Sequence, residues 1–231
     1  MTLATSVSHQ EAFRRGELIR VVNYHSTPRG ARAELEDELA AYAESFAPVT
    51  MADLDDLFEH GTWKHDKPGV IPVFYEGYRN SYDVAAPAAE KAGLVGWFPV
   101  ATGWISCPVD YQEVYARSHW LSLVEEDIAT GDRIAMSWEE VRELSERHEI
   151  YPHTASHQGF DTILTPAELE TEVFEPKRRM EEVTGKPARA FAWLHGTPFG
   201  RSPLHDDALV AAGYDYLFSN TMVQRLPTVQ G

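Results

Sequence analysis

The chain has 231 residues, 43% of them hydrophobic, and a formal net charge of −16, so it is large enough to bury a substantial core. This acidic balance argues against binding to nucleic acid or anionic membranes, because phosphate groups are bound by clustered cations. The single cysteine, Cys107, excludes an intrachain disulfide framework. Residues 1–25 lack the apolar core of a secretion signal, and no stretch reaches transmembrane length. We therefore expect one cytoplasmic α/β domain spanning residues 1–231, with no nucleic-acid or membrane partner.

Short apolar runs alternate with helical patterns along the chain. Ser137 and Glu140 form a capping-box pattern at the start of one helix, and Pro87 predicts a break or kink in another. The predicted strands are 18–24, 69–75, 94–101, 149–152, 188–194 and 214–220, and the predicted helices are 31–46, 80–93, 137–148, 165–185 and 202–213.

This alternation implies parallel strands joined by helical crossovers. The number of units favours a closed or nearly closed (β/α) barrel, with a doubly wound sheet as the alternative. In a barrel the active site lies at the carboxyl ends of the strands. The polar residues that follow predicted strands are His25, Glu76, His153, His157, His195 and Asn220.

The stretch "HTASH", residues 153–157, carries the most specific pattern. Histidines at positions i and i+4 lie on one face of a helical turn, where both can bind one metal ion. Glu76 is the candidate for a third ligand, and three protein ligands leave an open position for water. The competing interpretation is a chance pair among ten histidines.

The chain resembles the polysaccharide deacetylases, which have the NodB-homology or carbohydrate esterase 4 fold. "HTASH" matches the H-[ST]-x-x-H metal motif of that family, and "VFYEGYRNSY" resembles its first motif. "RAFAW" followed by "TPFGRSP" resembles the third motif, with "LHGT" as an insertion. The resemblance covers most of the chain. It implies a distorted (β/α) barrel and hydrolysis of an amide, such as an N-acetyl group, by metal-activated water.

The first motif departs from the family pattern. Family members carry two adjacent aspartates there, of which the first is the catalytic base and the second binds the metal. Tyr75 occupies the base position and Glu76 the metal position. A phenol with a pKa of about 10 accepts a proton poorly at neutral pH. The late L-x-H motif that supplies a general acid in many members is not evident, and His25 and His195 are candidates to replace it.

A sub-branch of the same family offers a precedent for glutamate in the first motif. Allantoinases of the PuuE type and cyclic imide hydrolases carry a "YEEG"-like run, which "FYEG" resembles. Those enzymes open small cyclic amides. The resemblance therefore implies a small-molecule or carbohydrate-derived amide substrate.

The segment from Thr102 to Arg133 separates a predicted strand from the next capped helix and is rich in aromatic residues. It is either a helix that covers the barrel or a lid or subunit contact near the mouth. A homo-oligomer is therefore one possible assembly.

Two hypotheses follow from these patterns. The first is a metal-dependent C–N hydrolase acting on a small amide, cyclic imide or N-acetyl compound. Its metal ligands are Glu76, His153 and His157, which suit zinc, and its candidate catalytic residues are Tyr75, His25 and His195. The second is a catalytically lapsed member that binds a ligand or partner. We favour the enzyme, because base roles move between residues more easily than metal-binding sites do.

Overall fold

The computed structural model describes residues 8–129 and 132–228. Residues 1–7 of the N-terminal stretch, residues 130–131 of the aromatic segment and residues 229–231 lie outside the described residues. The strands are β1 Ile19–Tyr24, β2 Ala47–Pro48, β3 Gly69–Phe74, β4 Trp97–Val100, β5 Glu149–Pro152, β6 Ala190–Ala192, β7 Tyr216–Ser219 and β8 Met222–Arg225. The α-helices are α1 His9–Arg14, α2 Arg32–Ser45, α3 Met51–His60, α4 Ala86–Lys91, α5 Thr102–Ile105, α6 Gln112–Ser118, α7 Glu125–Ala129, α8 Trp138–Leu144, α9 Pro166–Leu169, α10 Glu175–Thr184 and α11 Pro203–Ala212.

The strands form two sheets whose edges meet. Strands β1, β3, β4 and β5 are parallel neighbours in that order, and the short β2 also pairs with β3. Strands β6 and β7 are parallel, β8 runs antiparallel to β7, and β6 lies against β5. A cleft remains between β1 and β8. The predicted parallel pairing is confirmed, whereas the antiparallel strand β8 was not predicted.

The burial of the central strand β3 shows that both faces of the sheet are covered. All six of its residues are buried, as expected for a parallel strand flanked by helices. Helix α2 contributes Leu35 and Leu39 to the core on one side, as its helical spacing predicts. A second apolar cluster, which includes Trp97, Tyr151 and Phe218, fills the space between the two sheets.

Helix ends follow the predicted capping chemistry. Ser137 and Glu140 form a reciprocal capping box before α8, and Thr165 and Glu168 form another before α9. Helix α8 ends at Leu144, four residues before the predicted end at His148.

Prolines widen two helices without breaking them. Among the described residues, π-helical turns span Ser81–Ala85 and Glu170–Phe174, and each comes shortly before a proline, Pro87 or Pro176. Proline lacks an N–H, and its ring clashes with the carbonyl four residues earlier, so a wider turn relieves the conflict. The predicted kink at Pro87 is therefore a π-turn inside a continuous helix.

The strand register determines which residues meet at the carboxyl edge. Tyr24 pairs with Phe74, so the residues that follow, His25 and Tyr75, emerge side by side. Val100 pairs with Pro152 on the other side of β3, so β5 delivers the following residue to the same edge. The candidate site residues therefore start from neighbouring strand ends.

A charged network ties helix α3 to the second sheet. Arg189 donates from both terminal nitrogens to the Asp55 carboxylate at 2.7 and 2.8 Å, and Tyr216 donates its hydroxyl to the same group at 2.7 Å. Bidentate pairs of this kind fix geometry as well as adding energy. The Arg189 guanidinium also lowers the pKa of Asp55.

We predict that Asp55→Asn lowers the free energy of unfolding by about 1.5–3 kcal/mol at pH 7, the range for hydrogen bonds to a charged group. Because the folded-state pKa is lowered, this stabilisation is present above the unfolded-state pKa and is lost as the pH falls through the folded-state value. Urea unfolding at pH 7 and at pH 3 measures both effects. Glu59→Gln, which alters an exposed partner of Arg225, is the control and should change little. Equal losses in the two variants would contradict the prediction.

Candidate metal site at the carboxyl edge

A buried carboxylate lies at the centre of the carboxyl edge. Glu76 is 3% exposed and its backbone has a left-handed φ of 70°. His25 donates its Nδ1–H to the two carboxylate oxygens, at 2.7 and 2.9 Å. Gly77 allows the tight turn that follows, since its φ is 93° and a Cβ there would lie 2.9 Å from Ile105 Cδ1. The turn therefore directs Glu76 inward instead of along the strand.

His153 and His157 have the tautomers that a metal site requires. Each is 2% exposed, and each has its Nδ1 next to a backbone carbonyl: Ala192 O at 2.9 Å for His153 and His119 O at 2.7 Å for His157. A carbonyl oxygen can only accept, so each Nδ1 carries the proton. Both Nε2 atoms therefore keep a free lone pair, as in metal-ligating histidines oriented by an outer partner.

The backbone between these histidines differs from the predicted helical turn, and that prediction was wrong. Thr154 and His157 have left-handed φ values of 59° and 54°, so residues 153–157 form an irregular loop. A right-handed helix cannot contain such residues. The loop still brings the two imidazole rings to a centroid separation of 5.1 Å.

The three side chains fit a divalent metal ion. One ligand atom each from Glu76, His153 and His157 lies within 4.8 Å of the other two. The buried Nε2 of His157 has no hydrogen-bond partner, and it lies 3.6 Å from Glu76 Oε1, too far for a hydrogen bond. A buried nitrogen without a partner is costly unless a ligand satisfies it. Two imidazoles and a carboxylate are a donor set that zinc accepts.

The electrostatics of the site favour ligand-competent protonation states. Burial alone would raise the pKa of Glu76, but the imidazoles around it, above all the hydrogen-bonded His25, outweigh burial and hold this pKa at about 2. Burial, reinforced by His157, lowers the pKa of His153 to about 4. Glu76 is therefore ionised and His153 neutral at pH 7. The hydrogen bond to Glu76 raises the pKa of His25.

Tyr75 lies between two of these histidines. Its ring stacks on His25 at a centroid distance of 5.6 Å and meets His153 edge-on at 5.3 Å. Burial, together with the adjacent charge of Glu76, raises the pKa of Tyr75 well above its ordinary value. At neutral pH the phenol is therefore neutral, a hydrogen-bond donor and a poor base.

A cavity of about 310 Å³ opens beside Glu76 and His153, two of the three candidate metal ligands, and its volume is near the lower limit for small-molecule sites. The insertion "LHGT" forms part of its wall through His195 and Gly196, and Asn220 follows β7 on the same wall. His195 and Asn220 also have left-handed φ values, 63° and 52°. The structure thus brings His25, Tyr75, Glu76, His153, His195 and Asn220 to one cavity.

The aromatic segment after β4 both covers the barrel and contacts the site. Trp104 is fully buried, whereas Trp120 is 84% exposed. The His119 carbonyl accepts the proton of His157 Nδ1, and Tyr115 donates its hydroxyl to Ala155 O at 3.1 Å. The same segment therefore covers the barrel and contacts the site. Its role as a lid or subunit contact stays a prediction.

Comparison with known proteins identifies the family. Residues 65–217, more than half of the chain, match the family described as polysaccharide deacetylase. The chain belongs to the polysaccharide deacetylase family. Its matched region contains Tyr75, Glu76, His153 and His157 and excludes His25. No curated protein matches the chain by sequence.

Solved structures of deacetylases share the fold. The chain resembles the Streptococcus pyogenes deacetylase PplD in complex with acetate, with a TM-score of 0.64 and 15% identity over 85% of this chain and 80% of that one. It resembles a de-N-acetylase from Aggregatibacter actinomycetemcomitans, with a TM-score of 0.64 and 17% identity over 90% of each chain. IcaB from Ammonifex degensii gives a TM-score of 0.63 and 20% identity over 90% and 86%. The predicted fold class is confirmed.

Two parts of the candidate site were not predicted from the sequence. One is the His119 carbonyl, a backbone group that no sequence pattern marks. The other is Glu172, which accepts hydrogen bonds from the 153–157 loop. Its signal was present in the sequence: Glu172 lies on the inward stripe formed by Leu169, Val173 and Met180, where a charge is unexpected.

We predict that His157→Ala lowers zinc affinity by more than about a hundredfold, beyond the loss usual for outer partners of metal ligands. The fold should persist, because the residue lies on an edge loop and not in the hydrophobic core. Competition with a chelator measures affinity, and circular dichroism measures the fold. His60→Ala, on the exposed end of α3, is the control. An unfolded His157→Ala protein would instead indicate a structural role.

Proposed function

We propose that this chain is a metal-dependent hydrolase of C–N bonds that removes an acetyl group from nitrogen. The observation that carries the proposal is the buried set of Glu76, His153 and His157, with both imidazole Nε2 atoms free and no partner for that of His157. A structural cluster would satisfy these atoms internally. A bound metal ion better explains three side chains that leave the lone pair of a buried nitrogen, His157 Nε2, without a partner.

The chain's own residues prepare this site for a cation. The carbonyls of Ala192 and His119 hold the two imidazoles in the required tautomers. Glu76 Oε1 faces His157, while Oε2 can keep the hydrogen bond to His25. A divalent ion, most suitably zinc, would polarise the substrate carbonyl and lower the pKa of water.

Side chains next to the candidate metal ligands would transfer the proton and bind the oxyanion. His25 is 61% exposed and has Nδ1 engaged by Glu76, which leaves Nε2 for exchange at the cavity. Its raised pKa suits a general acid that protonates the departing amine. Tyr75, a neutral phenol at the same cavity, would donate a hydrogen bond to the oxygen on which negative charge develops. His195 remains a second candidate for the acid.

The substrate class follows from the cavity and from the relatives. A volume of about 310 Å³ holds an N-acetyl group with one sugar ring or a small cyclic amide. The neighbours include a deacetylase solved with acetate and a de-N-acetylase, and the family match concerns polysaccharide deacetylases. We therefore place N-acetylated carbohydrates first and cyclic imides second.

The test is a panel of N-acetyl sugars assayed for acetate release, and of hydantoins and cyclic imides assayed for ring opening, before and after chelation. Zinc-loaded protein should hydrolyse at least one compound, and the chelated protein should lose this activity and regain it with added zinc. Elemental analysis should find one divalent ion per chain. A zinc-loaded protein that turns over no compound would favour the lapsed, ligand-binding alternative.

Tyr75→Phe tests the role of the phenol. We predict that it lowers kcat by about tenfold or more, up to the roughly hundredfold to thousandfold loss seen on removing one oxyanion donor, while metal content stays unchanged. Tyr82→Phe is the matched control, since the Tyr82 hydroxyl bonds Glu143 on the outer helices. Equal kcat in wild type and Tyr75→Phe would refute a catalytic role for Tyr75.

A further inference from the structure

A single buried carboxylate, that of Glu172, binds the backbone of the loop 153–157, which carries both histidines. Glu172, which is 5% exposed, accepts the N–H groups of Ala155 and Ser156 on Oε2, each at 2.9 Å. Its Oε1 accepts the Ser156 hydroxyl at 2.5 Å. Successive backbone N–H groups that converge on one anion form a concave anion site, and here the protein's own side chain fills it.

The opposite side of the loop is held by a different part of the chain. Gly103 donates its N–H to Ala155 O at 2.8 Å, and Tyr115 donates its hydroxyl to the same oxygen at 3.1 Å. Residues 155 and 156 are thus fixed through their N–H groups by Glu172 and through a carbonyl by the aromatic segment. Removing the carboxylate would leave two backbone donors without their partner.

The loop has a conformation that needs such support. Thr154 and His157, on either side of the two bonded amides, have left-handed backbones. Each left-handed non-glycine residue costs conformational free energy and persists only where its surroundings impose it. Glu172 provides three hydrogen bonds between these two residues, so it is the group best placed to impose the shape.

The position of Glu172 follows from the helix that carries it. It lies in the π-helical turn Glu170–Phe174, which precedes Pro176. A π-turn shifts the residues before it relative to the rest of the helix, and such turns are frequent at functional sites. The π-turn thus carries Glu172 on the buried face of the helix at the height of the loop.

We propose that Glu172 is the positioning residue of the candidate metal site. It holds residues 153–157 in the strained shape that brings His153 Nε2 and His157 Nε2 together with Glu76. This inference rests on the proposed function, because it concerns the same metal. It assigns Glu172 no contact with metal or substrate.

Three substitutions separate positioning from general stability. Glu172→Leu removes every acceptor, whereas Glu172→Gln keeps an oxygen for the two N–H groups and an amide that can donate to the Ser156 oxygen. Glu170→Leu, in the same π-turn but exposed and paired with Arg178, is the matched control. Cobalt(II) titration gives affinity and a visible spectrum that reports ligand geometry, and circular dichroism checks the fold.

Glu172→Leu should lower cobalt affinity about tenfold or more, as for outer partners of metal ligands, and alter the visible spectrum. Glu172→Gln should restore both to wild-type values, and Glu170→Leu should leave both unchanged. If Glu172→Leu does not fold, Glu172→Asp, shorter by one methylene, should show a smaller loss of affinity. Wild-type affinity in whichever of the Leu and Asp variants folds, or a Gln variant as weak as Leu, would overturn the inference.

These readouts do not require turnover. A wild type that binds cobalt but hydrolyses nothing would contradict the proposed activity and leave the role of Glu172 intact. A wild type that binds no metal would overturn both proposals.

Discussion

The burial of the Glu76 carboxylate is the constraint on which the rest of the site depends. A buried ion costs several kcal/mol even after relaxation, unless other charges or donors compensate it. Here the compensation comes from His25 on the neighbouring strand end, whose Nδ1–H is donated to the carboxylate. The parallel register brings both strand ends to one edge. The arrangement is electrostatically incomplete, because the buried His157 Nε2 has no partner, and a bound cation would complete it.

The sequence predicted the parts of the site that follow from periodic structure and failed where irregular backbone decides the geometry. Strand ends placed His25, Glu76 and His153 correctly, because parallel strands deliver their following residues to a common edge. The conformation of 153–157 was predicted as helical on spacing alone. Left-handed residues at Thr154 and His157 gave a different backbone with a similar separation of rings. Glu172 was missed because it acts through backbone amides that no motif describes. The antiparallel β8 was missed because a four-residue strand with two apolar residues followed by two polar residues gives no periodic signal.

Backbone strain is concentrated where the candidate chemistry lies. In the described part of the chain six non-glycine residues have a left-handed backbone, and five of them follow the strands that surround the cavity: Glu76, Thr154, His157, His195 and Asn220. The sixth, Trp120, directly follows the residue whose carbonyl orients His157. Strained residues of this kind survive where neighbouring contacts impose them, and they are typical of sites shaped for function and not for stability. A site in decay would be expected to relax such residues, since each costs stability.

Tyrosine at position 75 changes the net charge of the site and leaves the candidate metal ligands in place. Two adjacent buried carboxylates repel one another, and one of them would gain a raised pKa. With a neutral phenol beside Glu76, the candidate ligand set contributes a single negative charge, so a divalent ion bound there would keep a net positive charge. A less neutralised ion polarises a carbonyl more strongly, and the strong base that aspartate would supply becomes less necessary. The contacts of Tyr75 with His25 and His153 keep the phenol among the groups that would surround a reacting amide. A tyrosine in place of the carboxylate would thus leave a metal-loaded site more electrophilic, which fits the hydrolase proposed above.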